Sequence, residues 1–342
     1  MVQLLAQKKG NGLVLAPTRE LAIQIDEACK GIAYPFGIKT ACLIGGASMG
    51  EQIRDLRKHP RIIIATPGRL NDHINRRNVN MRDVTMLVLD EADRMLDMGF
   101  APQIDEIIQY IPRERHTMLF SATMPRNVME MASRYMKLPI SIEVAPSGTT
   151  ADNITQELFI IKRETKLKVL GKLISQYHGA IIVFSRTKHD AKRITRSIRD
   201  MGYRAAEIHS DRSLNQRREA LEGFRVGKYR VLVATDIAAR GIDVTGIELV
   251  INYDLPDDIE NYVHRIGRTA RAGHKGHAIS FATPDQSHNV RDIEKLIRAP
   301  LPISKHPEIS QEAFIPSTPK SYSFRPRRSS GGRRRYNSFR KF

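Results

Sequence analysis

Short apolar runs alternate with longer amphipathic stretches along most of this 342-residue chain. Such runs are typical of buried parallel strands, and charged stretches between them are typical of helices that cover a parallel sheet. The pattern therefore predicts an α/β fold. The expected strands are Leu13 to Ala16, Thr40 to Ile44, Arg61 to Ala65, Met86 to Asp90, Thr117 to Phe120, Ile140 to Val144, Ala180 to Phe184, Ala205 to Ile208, Val231 to Ala234, Leu249 to Tyr253 and Ala278 to Phe281.

The chain is long enough for two domains of roughly 150 residues each. A turn-rich, weakly apolar stretch from Ala145 to Asp152 lies between the halves and is the expected linker. We expect a first domain over residues 1–146 and a second over residues 147–300. Residues 301–342 become Pro-rich and then Arg-, Ser- and Gly-rich, a composition with too little apolar surface to fold, so a disordered basic tail is predicted.

Basic residues exceed acidic ones by 18, and a polyanion is the natural partner for that charge. Nine basic residues and no acidic ones lie between Ala313 and Phe342, so half of the excess is in the tail. Aromatic residues stand between these arginines, which suits phosphate attraction combined with base stacking. A tail that only improves solubility has the same composition, so both interpretations stay open.

Two further sequence features exclude other classes of protein. Cys29 and Cys42 have neither a CxxC nor a Cys/His ligand spacing, so a structural zinc site and a disulfide framework lack support. The apolar runs are much shorter than the roughly 18 residues of a membrane span, and residues 1–10 lack the features of a signal peptide. The sequence predicts a soluble, cytoplasmic protein without a membrane partner.

Carboxylates follow the apolar run Val84 to Leu89 at once, as Asp90, Glu91 and Asp93. In an open α/β sheet ligands bind beyond the carboxyl ends of the strands, so Asp90 and Glu91 are expected to project into a site. Asp90 could hold Mg²⁺ on a nucleotide through water, and Glu91 could orient and deprotonate an attacking water. A helix whose first turn favours acids because of its macrodipole explains these residues equally well.

The acidic block is one of eight that occur in a fixed order. They are Pro17-Thr-Arg-Glu-Leu-Ala22, Gly45-Gly46, Thr66-Pro-Gly-Arg-Leu70, Asp90-Glu-Ala-Asp93, Ser121-Ala-Thr123, Val183-Phe-Ser-Arg186, Ala234-Thr-Asp-Ile-Ala-Ala-Arg-Gly-Ile-Asp243 and His264-Arg-Ile-Gly-Arg-Thr-Ala-Arg271. From Leu13 to Arg298 the sequence resembles the DEAD-box ATP-dependent RNA helicases, and its tail and short linkers resemble those of the bacterial RhlE-type branch. The resemblance implies two RecA-like domains that close around ATP, Mg²⁺ and single-stranded RNA and locally unwind short duplexes.

The resemblance also implies a role for each block. Contacts with the RNA sugar-phosphate backbone are expected from Thr18, Arg19, Gly46, Thr66, Arg69, Arg186 and Thr235. Catalysis is expected from Asp90, Glu91, Arg268 and Arg271, nucleotide binding from Gly241 and Asp243, and coupling to domain closure from Asp93, Ser121, Thr123 and His264. Backbone contacts predict RNA binding that is independent of sequence and sensitive to salt. Ribosomal and RNA-decay assemblies are the candidate larger partners.

Several of these residues also have an ordinary structural interpretation. Thr18 and Thr66 fit helix N-caps, the second with Pro67 at the first helical position. The two interpretations are compatible, because a capped helix N-terminus still offers N–H donors to phosphate. Arg268 and Arg271 are three residues apart and would share one helix face, which outside the family context is typical of a solvated surface.

The sequence departs from the family in one major respect: the phosphate-binding loop G-x-x-x-x-G-K-[ST] does not occur in these 342 residues. In the family this loop precedes the block that begins here at Pro17, so we expect the chain to be truncated upstream and the first sheet to expose an unpaired edge. We also expect it to hydrolyse ATP poorly or not at all. An ATP-independent RNA-binding or annealing module is the main alternative, and a DNA-directed helicase is a third.

Smaller departures occur in the second half. Ser210 stands where the family usually has glycine, and Leu214 stands where glutamine is common. Neither change removes a charged catalytic group, and Arg217 still fits the arginine position associated with that segment. Local contacts with RNA or between the domains are the properties that these departures affect.

Overall fold

The computed structural model describes residues 1–143, 154–236, 244–270, 275–304 and 312–315. These residues form two α/β lobes. We call the described residues up to 143 the first lobe and those from 154 onward the second lobe. Each lobe is built on a parallel sheet, as the sequence pattern predicts.

The sheet of the first lobe runs in the order β2-β3-β1-β4-β5, and its pairs are parallel. Its strands are β1 (Asn11–Leu15), β2 (Thr40–Leu43), β3 (Ile62–Ala65), β4 (Val84–Leu89) and β5 (His116–Leu119). The helices around it are α1 (Val2–Gln7), α2 (Arg19–Ala33), α3 (Met49–Leu56), α4 (Pro67–Asn75), α5 (Ala92–Asp97), α6 (Ala101–Tyr110) and α7 (Arg126–Tyr135). A 3-10 turn, Tyr34–Phe36, follows α2.

The sheet of the second lobe runs in the order β6-β11-β10-β7-β9-β8 and is also parallel. Its strands are β6 (Ile154–Ile160), β7 (Ala180–Phe184), β8 (Ala205–Ile208), β9 (Val231–Ala234), β10 (Ile247–Asn252) and β11 (Gly276–Ala282). Its helices are α8 (Lys166–Gln176), α9 (Lys188–Asp200), α10 (Leu214–Arg225), α11 (Glu260–Ile266) and α12 (Ser287–Ile297).

Each sheet is buried on both faces, which explains why the strands are continuous apolar runs rather than alternating ones. In β1, Leu13 and Leu15 pack into one cluster of buried side chains, whereas Val14 packs into a second cluster across the sheet. In β7, Ile182 and Val183 likewise face opposite clusters. Side chains of successive residues point to opposite faces of a strand, so a two-sided core needs apolar residues at every position.

The expected strand from Ile140 to Val144 is wrong for residues 140–143, which form no strand. Ile140 and Ile142 are 86% and 84% exposed. Among the described residues β5 is the edge strand of its sheet, and it lines a cavity of about 1240 Å³ together with Ile140 and Ile142 instead of pairing with this segment. Val144 lies outside the described residues, as does the expected linker from Ala145 to Asp152.

The sequence pattern missed strand β6, in which Ile154 is followed by the polar residues Thr155, Gln156 and Glu157. The strand lies at the sheet edge, where it pairs with β11 and tolerates polar side chains. Its residue Leu158 also forms a β-bridge with Ile303. The described residues 301–304 and 312–315 therefore pack on the second lobe, and the rest of the expected tail lies outside the description.

No helix in the described part of the chain is long and apolar enough to cross a membrane.

Candidate functional site

Two polar contacts join segments that follow the carboxyl ends of strands in the two lobes. In the first contact, Glu20 at the start of α2 pairs with Arg217 of α10. In the second, Thr123 after β5 contacts Glu260 of α11. Ligands of open parallel sheets bind at this end of the strands, so the space between the lobes is the candidate site.

Asp90 and Glu91 lie at the end of β4, as the sequence predicts. The Glu91 N–H donates to Asp90 Oδ1 at 3.0 Å, and the Glu91 carboxylate pairs with Arg94 at 3.2 Å. Glu91 has φ 48° and ψ 57°, a left-handed conformation that glutamate rarely adopts. Burial, followed by the negative charge of Glu91, raises the pKa of Asp90. A half-buried pair of carboxylates with this electrostatic cost would be stabilised by an added cation.

Asp93, Ser121 and Thr123 form one connected hydrogen-bond network. The Thr123 N–H and the Thr123 hydroxyl both lie 3.0 Å from Asp93 Oδ2. The Asp93 N–H donates to Ser121 Oγ at 3.2 Å, and the Ser121 hydroxyl donates to the Thr123 carbonyl at 2.6 Å. The network ties the start of α5 to the segment after β5. The structure therefore brings together three of the four residues expected to couple the site to closure.

The Thr123 hydroxyl also lies 3.0 Å from Glu260 Oε2 in the second lobe. A hydroxyl carries one hydrogen, so it cannot donate to the carboxylates of Asp93 and Glu260 together. Burial is the main cause that raises the pKa of Glu260; the hydrogen bond with Thr123 opposes this effect, and the negative charges of Asp258, Asp97 and Asp93 add to it. This contact is therefore most favourable when one of the two carboxyl groups is protonated.

We expect closure of the lobes to strengthen as the pH falls. Away from the first lobe, Glu260 should titrate near its ordinary value of 4.5; in the closed arrangement its pKa is higher, so closure takes up protons. The electrostatic penalty on closure is absent below pH 4.5, where Glu260 is protonated in both arrangements, grows as the pH rises above that value, and is complete once the pH exceeds the raised pKa. Fluorescence energy transfer between labels on the two lobes should report more closure near about pH 5 than near about pH 8.

Two variants test the origin of this dependence. Glu260→Gln removes the charge and should make closure nearly independent of pH. Glu164→Gln alters an exposed glutamate of the same lobe and should leave the dependence intact. A pH dependence that survives in Glu260→Gln would assign the effect to another group.

An interlobe cavity of about 440 Å³ collects residues from both lobes. Four of the residues expected to bind RNA, Thr18, Arg19, Thr66 and Arg69, line it, and the second lobe contributes Ser210 and Arg217. The wall from the first lobe follows the carboxyl ends of β1 and β3. The sequence predicted these four residues from separate blocks, and the structure places them around one space.

The helix starts at this cavity differ from each other. Thr18 caps α2 and accepts a hydrogen bond from the Leu21 N–H at 3.3 Å. Thr66 precedes α4 with Pro67 at its start, but its side chain makes no capping hydrogen bond. The N-cap interpretation is therefore confirmed for Thr18 and only positionally correct for Thr66, whose hydroxyl group is not used as a cap.

Arg19 and Gly46 are neighbours, because the guanidinium group of Arg19 lies against the backbone after β2. A Cβ atom on Gly46 would be 2.6 Å from Arg19 Nη1, and Gly46 has φ +80°. A larger residue would therefore both strain the backbone and displace the arginine. Arg69 supports the same segment by donating to the Ala47 carbonyl at 3.2 Å.

Arg186 and Thr235 of the second lobe follow the neighbouring strands β7 and β9, outside the lining of the interlobe cavity. The Arg186 side chain is 40% exposed and lies 3.5 Å from Asp257, while its N–H donates to Asp254. The Thr235 N–H donates to the Ile208 carbonyl at 3.3 Å. These two residues share an edge of the second sheet without contacting the residues expected to bind RNA in the first lobe.

His264 lies on α11, and Arg268 follows that helix and donates from Nε to the His264 carbonyl at 3.1 Å. The helix carries Glu260, so its start faces the segment after β5. Arg271, Gly241 and Asp243, which the sequence places in the catalytic and nucleotide-binding groups, lie outside the described residues.

Sequence reasoning missed Arg265, whose side chain is 1% exposed. Its guanidinium group pairs with both oxygens of Asp236, at 2.5 and 2.7 Å, and donates to Asn252 Oδ1 and the Asp254 carbonyl at 3.2 and 2.6 Å. The group also lies over the ring of Phe184. Arg265 thus fastens α11 to the carboxyl ends of β7, β9 and β10. Its position between His264 and Arg268 was the available signal.

The Glu20–Arg217 pair is the second feature that the sequence did not predict. Arg217 Nη2 lies 2.6 Å from Glu20 Oε2, and the two side chains are 10% and 3% exposed. Burial lowers the pKa of Arg217, although the charge of Glu20 opposes this effect. The residues are separated by 197 positions in the chain.

Profiles of two protein families match most of the chain. The profile described as DEAD/DEAH box helicase matches residues 1–131, and the profile described as helicase conserved C-terminal domain matches residues 165–273. The solved structure of a DEAD box protein from Methanococcus jannaschii is 37% identical, with 88% of this chain and 81% of that chain covered and a TM-score of 0.50. The chain belongs to the DEAD-box ATP-dependent RNA helicase family. The family is one of enzymes, and the two lobes of this chain are the RecA-like domains that the sequence predicts.

A longer relative supports the same family. This DEAD-box chain is 43% identical over 298 residues to the ATP-dependent RNA helicase CshA of Listeria monocytogenes, covering 86% of this chain and 57% of that protein. The chain thus spans little more than half the length of the curated relatives that it matches.

Structures of Dbp5 from S. cerevisiae are informative about the arrangement of the lobes. Dbp5 bound to RNA and ADP BeF3 is 29% identical to this DEAD-box chain, with 86% of this chain and 78% of that chain covered, and superposes with a TM-score of 0.78. A single-residue variant of Dbp5 gives 0.78 in the same complex and 0.57 when bound to Nup159, a Gle1 variant, IP6 and ADP. The lobes are therefore arranged more like those of the RNA-bound form.

Proposed function

We propose that this chain binds single-stranded RNA between its lobes and, with ATP, locally separates short RNA duplexes. The single observation that carries the proposal is the interlobe cavity lined by Thr18, Arg19, Thr66 and Arg69 of one lobe and by Arg217 of the other. Hydroxyl, guanidinium and backbone N–H groups suit a phosphodiester backbone and read no bases. The similarity to RNA-bound Dbp5 supports the same interpretation.

Closure is the step that would deform the strand. The Glu20–Arg217 and Thr123–Glu260 contacts form when the lobes meet, and both adjoin expected RNA-binding or coupling residues. RNA bound to both lobes would therefore favour closure, because its contacts with the second lobe exist only in the closed arrangement. A duplex that cannot follow the resulting bend would lose base pairs locally.

The acidic end of β4 is the proposed place for Mg²⁺ and the ATP phosphates. The raised pKa of Asp90 fits a cation there, since a positive charge would offset the repulsion from Glu91. No cluster of three or more metal-ligating side chains exists among the described residues, which suits an ion held by one carboxylate, water and phosphate. Bound ATP would supply the phosphoryl group that is transferred to water.

In this assignment each side chain has a separate task. Asp90 would hold the ion through water, and Glu91 would orient the attacking water and take its proton. Arg268 and Arg271 would contact the phosphates from the second lobe, while Gly241 and Asp243 would contact the ribose. His264 with the Asp93, Ser121 and Thr123 network would connect the phosphates to the interface between the lobes.

A second candidate function is ATP-independent RNA binding or annealing. It is favoured by one observation: the loop G-x-x-x-x-G-K-[ST], whose N–H groups and lysine hold phosphates in the family, does not occur in the 342 residues. We propose that this polypeptide by itself hydrolyses ATP poorly. Separation of a short RNA duplex, measured with and without ATP, distinguishes the two candidates. ATP-dependent separation supports the helicase, and ATP-independent annealing supports the alternative.

Arg69→Ala tests the location of RNA binding in both candidates. Removing its positive charge and its support of the Ala47 segment should weaken binding of a short oligoribonucleotide by about tenfold, since hydrogen bonds to charged groups contribute about 1.5–3 kcal/mol. Arg54→Ala is the control, because that side chain is 70% exposed and pairs only across the helix surface with Glu51. Equal affinities for both variants would place RNA elsewhere.

The finer assignments are proposals on the same basis. We place the domain boundaries at residues 1–146 and 147–300, with a basic tail over 301–342 that adds RNA affinity. We place the protein in the cytoplasm, in the RhlE-type branch, with ribosomal or RNA-decay assemblies as its setting. The basic charge of the chain and its resemblance to RNA helicases support these assignments.

A further inference from the structure

A second cavity opens at the opposite end of the first sheet. Its volume is about 1220 Å³, and it is lined by the segments that precede β1, β3 and β4, together with the end of α1. We call it the amino-end cavity. The interlobe cavity lies beyond the carboxyl ends of the same strands, so the length of β1, about 16 Å at 3.3 Å per residue, separates the two.

The charge of the amino-end cavity is strongly one-sided. Five of its lining residues are Lys or Arg and one, Asp83, is acidic, whereas the whole chain has 55 basic and 37 acidic residues. The basic residues are Lys8, Lys9, Arg57, Arg61 and Arg82. Lys8, Lys9, Arg57 and Arg82 are exposed and form no ion pair with any described residue. Their charges are therefore available to a ligand.

The rim of the cavity is held in a fixed shape. The Arg61 guanidinium group donates to the Lys8 carbonyl at 2.6 Å and to the Gly10 carbonyl at 2.9 Å. Its charge is bound to backbone rather than neutralised by a carboxylate, so it adds to the positive field. Gly10 has φ +121°, and a Cβ atom there would be 2.4 Å from Thr85 Oγ1. The glycine therefore lets the loop that carries Lys8 and Lys9 close over β4.

We propose that the amino-end cavity is a second, sequence-independent binding site for the phosphate backbone of RNA. The inference rests on the proposed RNA-binding function and extends it: a strand held between the lobes would continue around the first lobe to this cavity. Linked contacts at two sites raise the affinity for long RNA beyond that of either site alone. Short RNA can occupy one site at a time and gains nothing.

The test compares two triple variants with the same change of charge. Lys8→Glu/Arg57→Glu/Arg82→Glu reverses exposed charges at the cavity, and Lys168→Glu/Arg196→Glu/Arg291→Glu reverses exposed charges on α8, α9 and α12. Binding of RNAs of about six and about thirty nucleotides is measured over a range of salt concentrations. The first variant should lose about tenfold or more in affinity for the long RNA. The slope of log affinity against log salt concentration should become shallower by about 2, because three phosphate contacts are lost and each contributes about 0.7.

The first variant should bind the short RNA as the unmodified chain does, and the control triple should lose less than about threefold with either RNA. Equal losses of RNA affinity in both triple variants would show that the effect depends only on the net charge of the protein, and would overturn the inference. Polyglutamate that competed with the long RNA as well as RNA itself does would overturn the assignment to RNA. If Arg69→Ala leaves binding of the short RNA unchanged, RNA does not bind at the interlobe cavity and the proposed function is contradicted. The comparison of the two triple variants still tests the amino-end cavity independently.

Discussion

Arg217→Met is expected to lower the equilibrium constant for closure of the lobes by about a hundredfold or more. The substitution leaves the Glu20 carboxylate, 3% exposed in the closed structure, without its partner. Removing one member of a buried ion pair costs about 3–5 kcal/mol, because the remaining charge stays desolvated. Each 1.4 kcal/mol changes an equilibrium constant by about tenfold. The penalty applies only when the lobes meet, so neither lobe should lose stability.

Energy transfer between labels on the two lobes, with RNA present, measures this shift. Arg218→Met is the matched control, since Arg218 is the next residue on α10 and is exposed. The double variant Glu20→Leu/Arg217→Met removes both charges, and a hydrophobic replacement of a buried pair is often neutral or better. We therefore expect the double variant to close more readily than Arg217→Met. If the single variant closes like the control, the pair does not hold the lobes together.

Arg265→Ala should destabilise the second lobe itself. The buried guanidinium group satisfies both oxygens of Asp236 and two further acceptors, so its removal leaves buried acceptors unpaired and a space beside Phe184. We expect a loss of about 3–5 kcal/mol. At about 2–4 °C per kcal/mol for a domain of this size, the Tm of the second lobe should fall by about 6–20 °C in calorimetry.

Two variants set the scale for this result. Arg265→Lys retains the positive charge but cannot form the paired contact with Asp236, so it should recover only part of the stability. Arg298→Lys changes an exposed arginine at the end of α12 and should leave Tm within about 1 °C. An unchanged Tm in Arg265→Ala would mean that α11 is held by its apolar contacts alone.

The sheet strands could be predicted well from the sequence because burial on both faces leaves an uninterrupted apolar run. The predicted bounds of β7, β8 and β9 match the structure residue for residue. The exceptions lie at sheet edges. Residues 140–143 alternate apolar and polar side chains but form no strand, and β6 has polar residues at positions 155–157 yet pairs with β11. Pairing depends on the neighbouring strand, which a single run of residues does not reveal.

The candidate site also contains residues that the sequence could predict and contacts that it could not. Thr18, Arg19, Thr66 and Arg69 belong to short local blocks and could be found from the sequence, and the structure places them around one cavity. Which of them bind RNA stays a prediction. The interlobe contacts could not be found in this way, since Thr123 and Glu260 are 137 positions apart and become neighbours only when the lobes meet. Their partners are selected by tertiary geometry.

The left-handed backbone conformation of Glu91 costs folding free energy at a position whose carboxylate is proposed to orient the attacking water. Holding an L-residue with a side chain in that conformation costs roughly 1–2 kcal/mol, a cost from which glycine is exempt. The contact between the Glu91 carboxylate and Arg94, whose side chain is 5% exposed, offsets this strain. Glycine at position 91 would relieve the backbone and leave the Arg94 guanidinium group without that carboxylate, so the strained glutamate is retained at little net cost in stability.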